Sequence, residues 1–310
     1  MLDVALLGTG GMMPLPGRFL TSVLCRVKGS MLLIDCGEGT QITLKKLGWG
    51  FKNIDGIAIT HFHADHISGL PGLLLAIGNS GREEDLQMYG PPGLATVVKN
   101  LRVIVPELPF NIHFTEWTKE HSSCFFLPDI ELKSLQLNHG TPCFGYSLTL
   151  HRKGRFDLER ARRDNIPMAV WSPLQKQDEV IYEGVPYTSD MVLGPPRKGL
   201  MAGYCTDTRP VRFLAPFMYE ADLLICEGLY GEADKQEKAA AHRHMSFQEA
   251  AAIAKEAKVK ELWLTHFSPA MPNPQDYLHE AEKIFPNTVI GRDRMTKTLT
   301  FEEGEPSDRP

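Results

Sequence analysis

Cysteine pairs, long apolar runs and an excess of basic charge are all missing from this 310-residue sequence, and each absence removes a class of protein. The six cysteines, Cys25, Cys36, Cys124, Cys143, Cys205 and Cys226, form no C-x-x-C pair. Neither a zinc ribbon nor a disulfide framework is expected, and the thiols read as reduced and mostly buried. No apolar stretch approaches the roughly 20 residues that cross a bilayer. The opening Met1-Leu2-Asp3-Val4-Ala5-Leu6-Leu7-Gly8 sets an acid before a short apolar run and has no cationic leader. It reads as neither signal peptide nor anchor, so a cytoplasmic protein with no membrane partner is expected. No internal period of about 20–50 residues is present, which excludes a solenoid. Gly8-Thr9-Gly10-Gly11 lacks both the dinucleotide fingerprint and a closing Gly-Lys-Ser/Thr, and reads as a tight turn near a site mouth.

Lys and Arg number 33 against 38 Asp and Glu, a net charge of −5 that by itself argues against a nucleic-acid partner. The distribution says otherwise. Residues 151–163 hold six Arg/Lys and two acids, a balance of +4 on a chain that is otherwise −9. A cationic patch on an acidic body suits a polyanion docked at one place.

The composition, 43% hydrophobic and 23% charged, is that of an ordinary globular protein able to bury a sizeable core. Short apolar runs of strand length recur at Val4–Leu7, Met31–Ile34, Gly56–Ile59, Ile130–Leu137, Tyr146–Leu150, Leu200–Cys205, Leu223–Cys226 and Leu262–Thr265. Helical stretches lie between them at Gly39–Leu47, Gly69–Gly78, Pro92–Val103, Asp157–Asp164 and Phe247–Ala257. Ser246 with Glu249 three residues on is a capping-box signature that fixes the start of the last one. Because sheet-forming runs also follow one another directly, a layered α/β sandwich fits better than a doubly wound sheet. The pattern breaks over 151–198, where the basic stretch gives way to Ile166-Pro167, Ser172-Pro173 and Gly194-Pro195-Pro196. This segment reads as an inserted arm within one catalytic domain spanning 1–310.

The strongest chemical signal is His61-Phe62-His63-Ala64-Asp65-His66, directly after the buried run Gly56-Ile57-Ala58-Ile59-Thr60. Three imidazoles and a carboxylate at the carboxyl end of a strand are a ready supply of zinc ligands. Six adjacent residues cannot all reach one tetrahedral ion, so a second ion and further ligands are expected. His139, Asp207 and His266 each follow an apolar run in the same way. Glu227 ends another, and a buried carboxylate there needs a partner.

H-F-H-A-D-H resembles the defining motif of the metallo-β-lactamase superfamily. Asp35-Cys36-Gly37-Glu38-Gly39-Thr40-Gln41, Gly145-Tyr146 and Cys205-Thr206-Asp207-Thr208-Arg209-Pro210 are similar to segments of the ribonuclease Z family, tRNA 3′-processing endonucleases. The resemblance covers nearly the whole chain. It implies an αββα sandwich with an inserted flexible arm and two zinc ions. His61, His63 and His139 would hold the first ion, Asp65, His66 and His266 the second, with Asp207 between them. His244-Met245-Ser246 resembles the family's H-S-T segment, which makes His244 the proton donor and Glu227 the group that orients it; Asp65 would also orient the attacking water. Gly154–Ala161 through Asn165-Ile166-Pro167 resembles the family's tRNA-gripping arm, so Arg152, Lys153, Arg155, Arg160 and Arg163 are expected on RNA phosphates. One departure stands out: Met168-Ala169-Val170-Trp171-Ser172-Pro173 replaces the usual Gly-Pro. The implied substrate is precursor tRNA and the implied assembly a homodimer. The alternative is a hydrolase of small cyclic or aryl phosphodiesters on the same fold.

Overall fold

Alternation along the strands decides how the layers stack. In β1 (Leu2–Gly8), Leu2, Val4 and Leu6 face one apolar layer while Ala5 and Leu7 face another, the period-two pattern of a strand buried on both sides. The computed structural model describes residues 1–232 and 235–302. β1 belongs to a seven-stranded sheet with β2 (Ser22–Val27), β3 (Ser30–Ile34), β4 (Ile54–Ala58), β5 (Leu86–Gly90), β6 (Ile112–Glu116) and β16 (Thr296–Leu299), in the order β16-β1-β2-β3-β4-β5-β6. The second sheet holds β7 (His121–Leu127), β8 (Ile130–Gln136), β9 (Phe144–Arg152), β12 (Arg197–Cys205), β13 (Leu223–Glu227), β14 (Leu262–Thr265) and β15 (Thr288–Ile290), in the order β15-β14-β13-β12-β9-β8-β7.

Between the sheets lies a layer in which Val4, Leu6, Leu32 and Ile34 of the first meet Leu132, Leu148, Tyr204 and Trp263 of the second. The outer face of the first sheet is covered by the helices Thr40–Leu47, Leu70–Asn79 and Leu94–Leu101, through Leu44, Leu73, Leu74 and Val98. The outer face of the second carries Phe247–Glu256, whose small Ala250, Ala251 and Ala254 let the helix approach closely. Helix, sheet, sheet and helix make four layers, the αββα sandwich expected.

Between β9 and β12 the chain builds a unit with its own apolar cluster of Ala161, Ile166, Val170, Leu174, Val192 and Leu193. Asp157 caps the helix Leu158–Arg163 by accepting from the Arg160 amide at 2.9 Å. The stretch that replaces Gly-Pro forms a helix, Met168–Leu174, and Trp171 donates its indole N–H to the Ile166 carbonyl at 2.9 Å. A hairpin of β10 (Glu179–Tyr182) and β11 (Val185–Thr188) completes the unit.

Strand direction positions the site. β3 and β4 run parallel, as do β12, β13 and β14, and β8 points the same way as β12 because both are antiparallel to β9. Within each sheet these strands end together, and the ligating side chains that follow them meet at one edge of the sandwich.

Candidate metal centre and proton donor

Each expected ligand follows a strand that ends at this edge. His61, His63, Asp65 and His66 lie beyond β4, with Asp65 and His66 in the short helix Ala64–Ile67; His139 follows β8, Asp207 follows β12 and His266 follows β14. Asp35 (φ 59°), Asp207 (φ 55°) and His266 (φ 59°) hold left-handed backbone, which for a residue with a Cβ costs on the order of 1 kcal/mol or more. Such strain persists where the surroundings fix it, and here all three residues aim polar atoms at the same place.

Among the described residues three groups of donor atoms result, and one of them, Asp207, His244 and His266, overlaps the two that take in the expected ligands. Of those two, His61, His63, His139 and Asp207 form one, and Asp65, His66 and His266 the other. Asp207 stands between them with one oxygen for each: Oδ2 is 3.7 Å from Nε2 of both His61 and His139, while Oδ1 is 3.3 Å from His66 Nε2 and 3.2 Å from His266 Nε2. Asp65 Oδ2 closes the second group at 3.4 Å from His266 Nε2 and 3.7 Å from His66 Nε2.

Hydrogen bonds on the far side of the rings assign the tautomers. Asp35, fully buried, accepts from His66 Nδ1 at 2.8 Å and from the Thr60 amide and hydroxyl at 2.8 and 2.9 Å. The Thr60 hydroxyl, its proton committed to Asp35, accepts from His61 Nδ1 at 3.0 Å. His139 Nδ1 points at the Arg243 carbonyl, 3.4 Å away. His61, His66 and His139 therefore present bare Nε2 lone pairs to the centre. His66 Nε2 lies 3.3 Å from His266 Nε2, and His139 Nε2 lies 3.2 Å from His63 Nδ1. His61 Nε2 is buried with no hydrogen-bond partner. Lone pairs facing lone pairs and carboxylates are repulsive unless a cation sits among them.

A divalent metal fits. Ligand atoms about 2.0–2.1 Å from a tetrahedral zinc stand roughly 3.4 Å apart; the closest pairs here are 3.2 to 3.7 Å apart, and the donor atoms of each group lie within 4.8 Å of one another. Imidazole and carboxylate are also the donor types that zinc accepts. Without a cation, protons take its place: burial opposes charge on His66, yet Asp207 and Asp35 raise its pKa well above that of free histidine. Burial likewise opposes the Asp207 anion, and the surrounding imidazoles of His266, His66 and His61 still hold its carboxyl far below the usual range.

His244 stands beside this cluster. Its Nδ1 donates to Glu227 Oε2 at 2.8 Å, and its ring lies 5.3 Å from that of His139 and 5.6 Å from that of His266. Burial depresses its pKa, but the Glu227 charge and hydrogen bond outweigh burial and push it up to about 9. Glu227 is itself fixed, because Oε1 accepts the Thr208 amide at 2.6 Å. The capping box forms as expected, with Ser246 N to Glu249 Oε2 at 2.9 Å and Glu249 N to Ser246 Oγ at 3.3 Å.

Several supporting residues carry no separate signal in the sequence. Arg209 donates to Glu249 in a bidentate pair and to the His244 carbonyl, which holds the His244 loop in place. Arg243 donates to the His139 carbonyl at 2.7 Å while accepting from the His139 ring, so the loops of His139 and His244 are tied to each other. Asp35 lies in a motif noted for family likeness, yet its hold on His66 depends on a fold that brings residues 31 apart together. The Gly8–Gly11 turn does border the site: Gly10 bridges to Phe267, and the next amide, Met12 N, donates to Asp65 Oδ2 at 2.7 Å. A Cβ on Gly11 would fall 2.7 Å from the His266 ring, so only glycine fits. The cysteines are free as expected, five of them buried. Arg152 ends β9, and Lys153, Arg155, Arg160 and Arg163 lie in the unit between β9 and β12. Arg152 stacks over Phe301, Lys153 pairs with Asp178, Arg160 donates to the Leu193 carbonyl and Arg163 pairs with Asp164.

Two sheets sandwiched between helices, with a His/Asp cluster at one sheet edge, define a metal-dependent hydrolase of the metallo-β-lactamase fold. Among solved structures, the metallo-beta-lactamase fold protein YhfI from Bacillus subtilis shares that fold, at 20% identity over 96% of this chain and 98% of that one, with a TM-score of 0.68. The short form of human tRNase Z aligns at 26% identity over 96% of this chain and 100% of that one, with a TM-score of 0.71. The protein named Ribonuclease Z in Lachnospira eligens is 52% identical over 305 residues, 98% of this chain and 99% of that one. The Ribonuclease Z of Clostridium acetobutylicum is 50% identical over 307 residues, 97% and 99% of the two chains. Residues 2–156 match the family model described as Anti-Pycsar protein Apyc1. The chain belongs to the ribonuclease Z family, and its first half also to the sequence family of that model.

Proposed function

We propose that this enzyme removes the 3′ trailer from precursor tRNA by hydrolysing a single phosphodiester after the discriminator base. The products are a tRNA with a free 3′-hydroxyl and a trailer with a 5′-phosphate. One observation carries the reading above the small-diester alternative: identity of about 50% to proteins named Ribonuclease Z runs across 97–98% of the chain, so it takes in both the metal centre and the 151–198 unit.

The metal is assigned as zinc, two ions per chain, held by His61, His63 and His139 on one side, by Asp65, His66 and His266 on the other, and by Asp207 on both. Bound there, the ions supply positive charge that lowers the pKa of water and stabilises negative charge developing on the phosphate. Asp65, anchored by the Met12 amide, is placed to orient the attacking water. His244 delivers the proton to the departing ribose oxygen, a step that general acids accelerate by roughly 10²–10⁴. Glu227 keeps that proton on His244 until it is needed and fixes the ring through Nδ1, leaving Nε2 to face the substrate.

The tRNA body is assigned to the arm of residues 151–198, through Arg152, Lys153, Arg155, Arg160 and Arg163. The Lys153 and Arg163 ion pairs are solvent-exposed, and such pairs hold by about 0–1 kcal/mol, so backbone phosphates can displace Asp178 and Asp164 from them. The likeness to the family supports a homodimer and a cytoplasmic setting. Among the described residues no helix is long and apolar enough to cross a membrane.

Incubation with a precursor tRNA and, separately, with bis(p-nitrophenyl) phosphate tests the reading. A single cut 3′ to the discriminator base, with kcat/KM far above that for the aryl diester, is expected. Turnover of the diester with precursor tRNA left intact would overturn it.

A further inference from the structure

The centre opens into a cavity of about 510 Å³, and one wall of it is neither metal ligand nor proton donor. That wall is the helix Gln236–His242, which brings Lys238 and His242 into the cavity, with Lys235 at its N-cap. The helix is seated by Ala239, buried against Leu229 and Tyr230, and by the His244 amide, which donates to the Ala239 carbonyl at 2.9 Å. Lys238 and His242 are four residues apart, on one helical face and about 6 Å along the axis. The Lys238 amine lies 5.8 Å from the ring of the buried Tyr230, and Lys238 and His242 are both exposed. Lys235 pairs with Glu232, which also lines the cavity, and Glu237 on the same helix is exposed and not among the lining residues. On a chain of net charge −5, a strip of basic groups that begins two residues from the proton donor is placed for a polyanion that has already entered the active site.

We infer that Lys238 and His242 form a subsite for backbone phosphates of the RNA strand on the 5′ side of the scissile bond, the strand that becomes the new 3′ end. This rests on the functional reading above, because it is the proton donor that sets the direction. His244 serves the leaving ribose oxygen, which belongs to the upstream nucleotide, and the helix leads directly into the His244 loop, whose amide it holds through the Ala239 carbonyl. The subsite is separate from the arm and acts on the single-stranded end. It fixes the position of the cut relative to the metal centre, whereas the arm holds the body of the tRNA.

The test compares the zinc-loaded wild-type enzyme with Lys238→Gln and with Lys238→Gln/His242→Ala. Both substituted residues are solvent-exposed, and unfolding temperature and metal content check that the fold is kept. KM for a precursor tRNA should rise roughly five- to tenfold in the double variant, and the slope of log kcat/KM against log salt should flatten by about 0.7, one single-strand phosphate contact. The rise should be the same whether the trailer is one nucleotide or ten. A KM and salt slope equal to wild type on both substrates would overturn the subsite. A loss confined to the long trailer would also overturn it, by placing the contacts downstream of the cut. If instead the wild-type enzyme leaves precursor tRNA uncut, it is the functional reading that fails.

Discussion

Replacing Glu227 by glutamine removes one charge and leaves the shape of the donor site intact. Glutamine keeps the volume but has a single carbonyl oxygen, so it accepts from either the Thr208 amide or His244 Nδ1, and its NH2 faces the other donor. What changes is the stabilisation of imidazolium. Glu227 is the largest of the groups that lift His244 from an ordinary 6.5 to about 9 against burial, with Asp207 and Asp65 adding to it, so removing its charge lowers that value. A donor with a pKa of about 9 is about 97% protonated at pH 7.5, whereas one returned to 6.5 is about 9% protonated, a loss of roughly tenfold in competent enzyme. The sign follows from the role: a general acid works while protonated, so activity is lost as pH rises through its pKa. The alkaline limb of kcat on precursor tRNA should therefore move down towards the ordinary 6.5 in Glu227→Gln. Bound metal ions lower the pKa in both proteins through their charge, which shifts both limbs but preserves their separation. The assay is single-turnover cleavage of precursor tRNA over pH 6–10, alongside bis(p-nitrophenyl) phosphate, whose leaving group needs little protonation. Coincident alkaline limbs on precursor tRNA, or equal losses on both substrates, would refute the assignment of His244 as donor.

Elemental analysis should find close to two zinc ions per chain, with Asp207→Ala losing both and His266→Ala losing one, since only Asp207 faces both groups; full activity with a single ion would remove the dinuclear reading. Gly11→Ala should displace the His266 ring, because the added methyl would sit 2.7 Å from it. Metal content should then fall towards one equivalent while the circular dichroism spectrum is retained, and an unchanged metal content would show that the ring yields without consequence. Exchanging Arg152, Lys153, Arg160 and Arg163 for glutamine should raise KM for precursor tRNA and flatten its salt dependence. Unchanged values of both would take tRNA gripping away from the arm.

What could be read from the sequence tracks how locally each feature is encoded. The ligand run His61–His66 is contiguous, so its chemistry is visible without a fold, and the capping box at Ser246 and Glu249 is a four-residue signature. His139, Asp207 and His266 were found because each follows an apolar run, and strands that share a direction deliver their ends to one edge. The division of these ligands between two ions rests on family likeness; the structure brings His61, His63, His139 and Asp207 together, and Asp65, His66 and His266, and also Asp207, His244 and His266. Asp35, Arg209 and Arg243 escaped as functional residues because each acts through a contact whose partner lies 31 to 104 positions away. β2 gives no long apolar run because polar Ser22 and Arg26 bound it, and the edge strands β6 and β7 give none because His113, Thr115 and Glu116, and His121, Ser122 and Ser123, break up their apolar residues. His242 carries no signal in the sequence; it is exposed, and the surface it lies on is the wall of the catalytic cavity.

Each half of the donor set is drawn from both sheets: His61, His63, Asp65 and His66 extend from the first, His139, Asp207 and His266 from the second. The metal centre is therefore also a joint, closing the open edge of the sandwich where no hydrophobic layer does so. A ligand that binds only the folded state stabilises it by RT ln(1 + [L]/Kd), so the resistance of the two sheets to separation depends on the supply of metal as well as on the apolar layer between them. On the proposed reading, a protein deprived of its metal would be less durable as well as inactive, with its weakest seam at the mouth of the catalytic cavity.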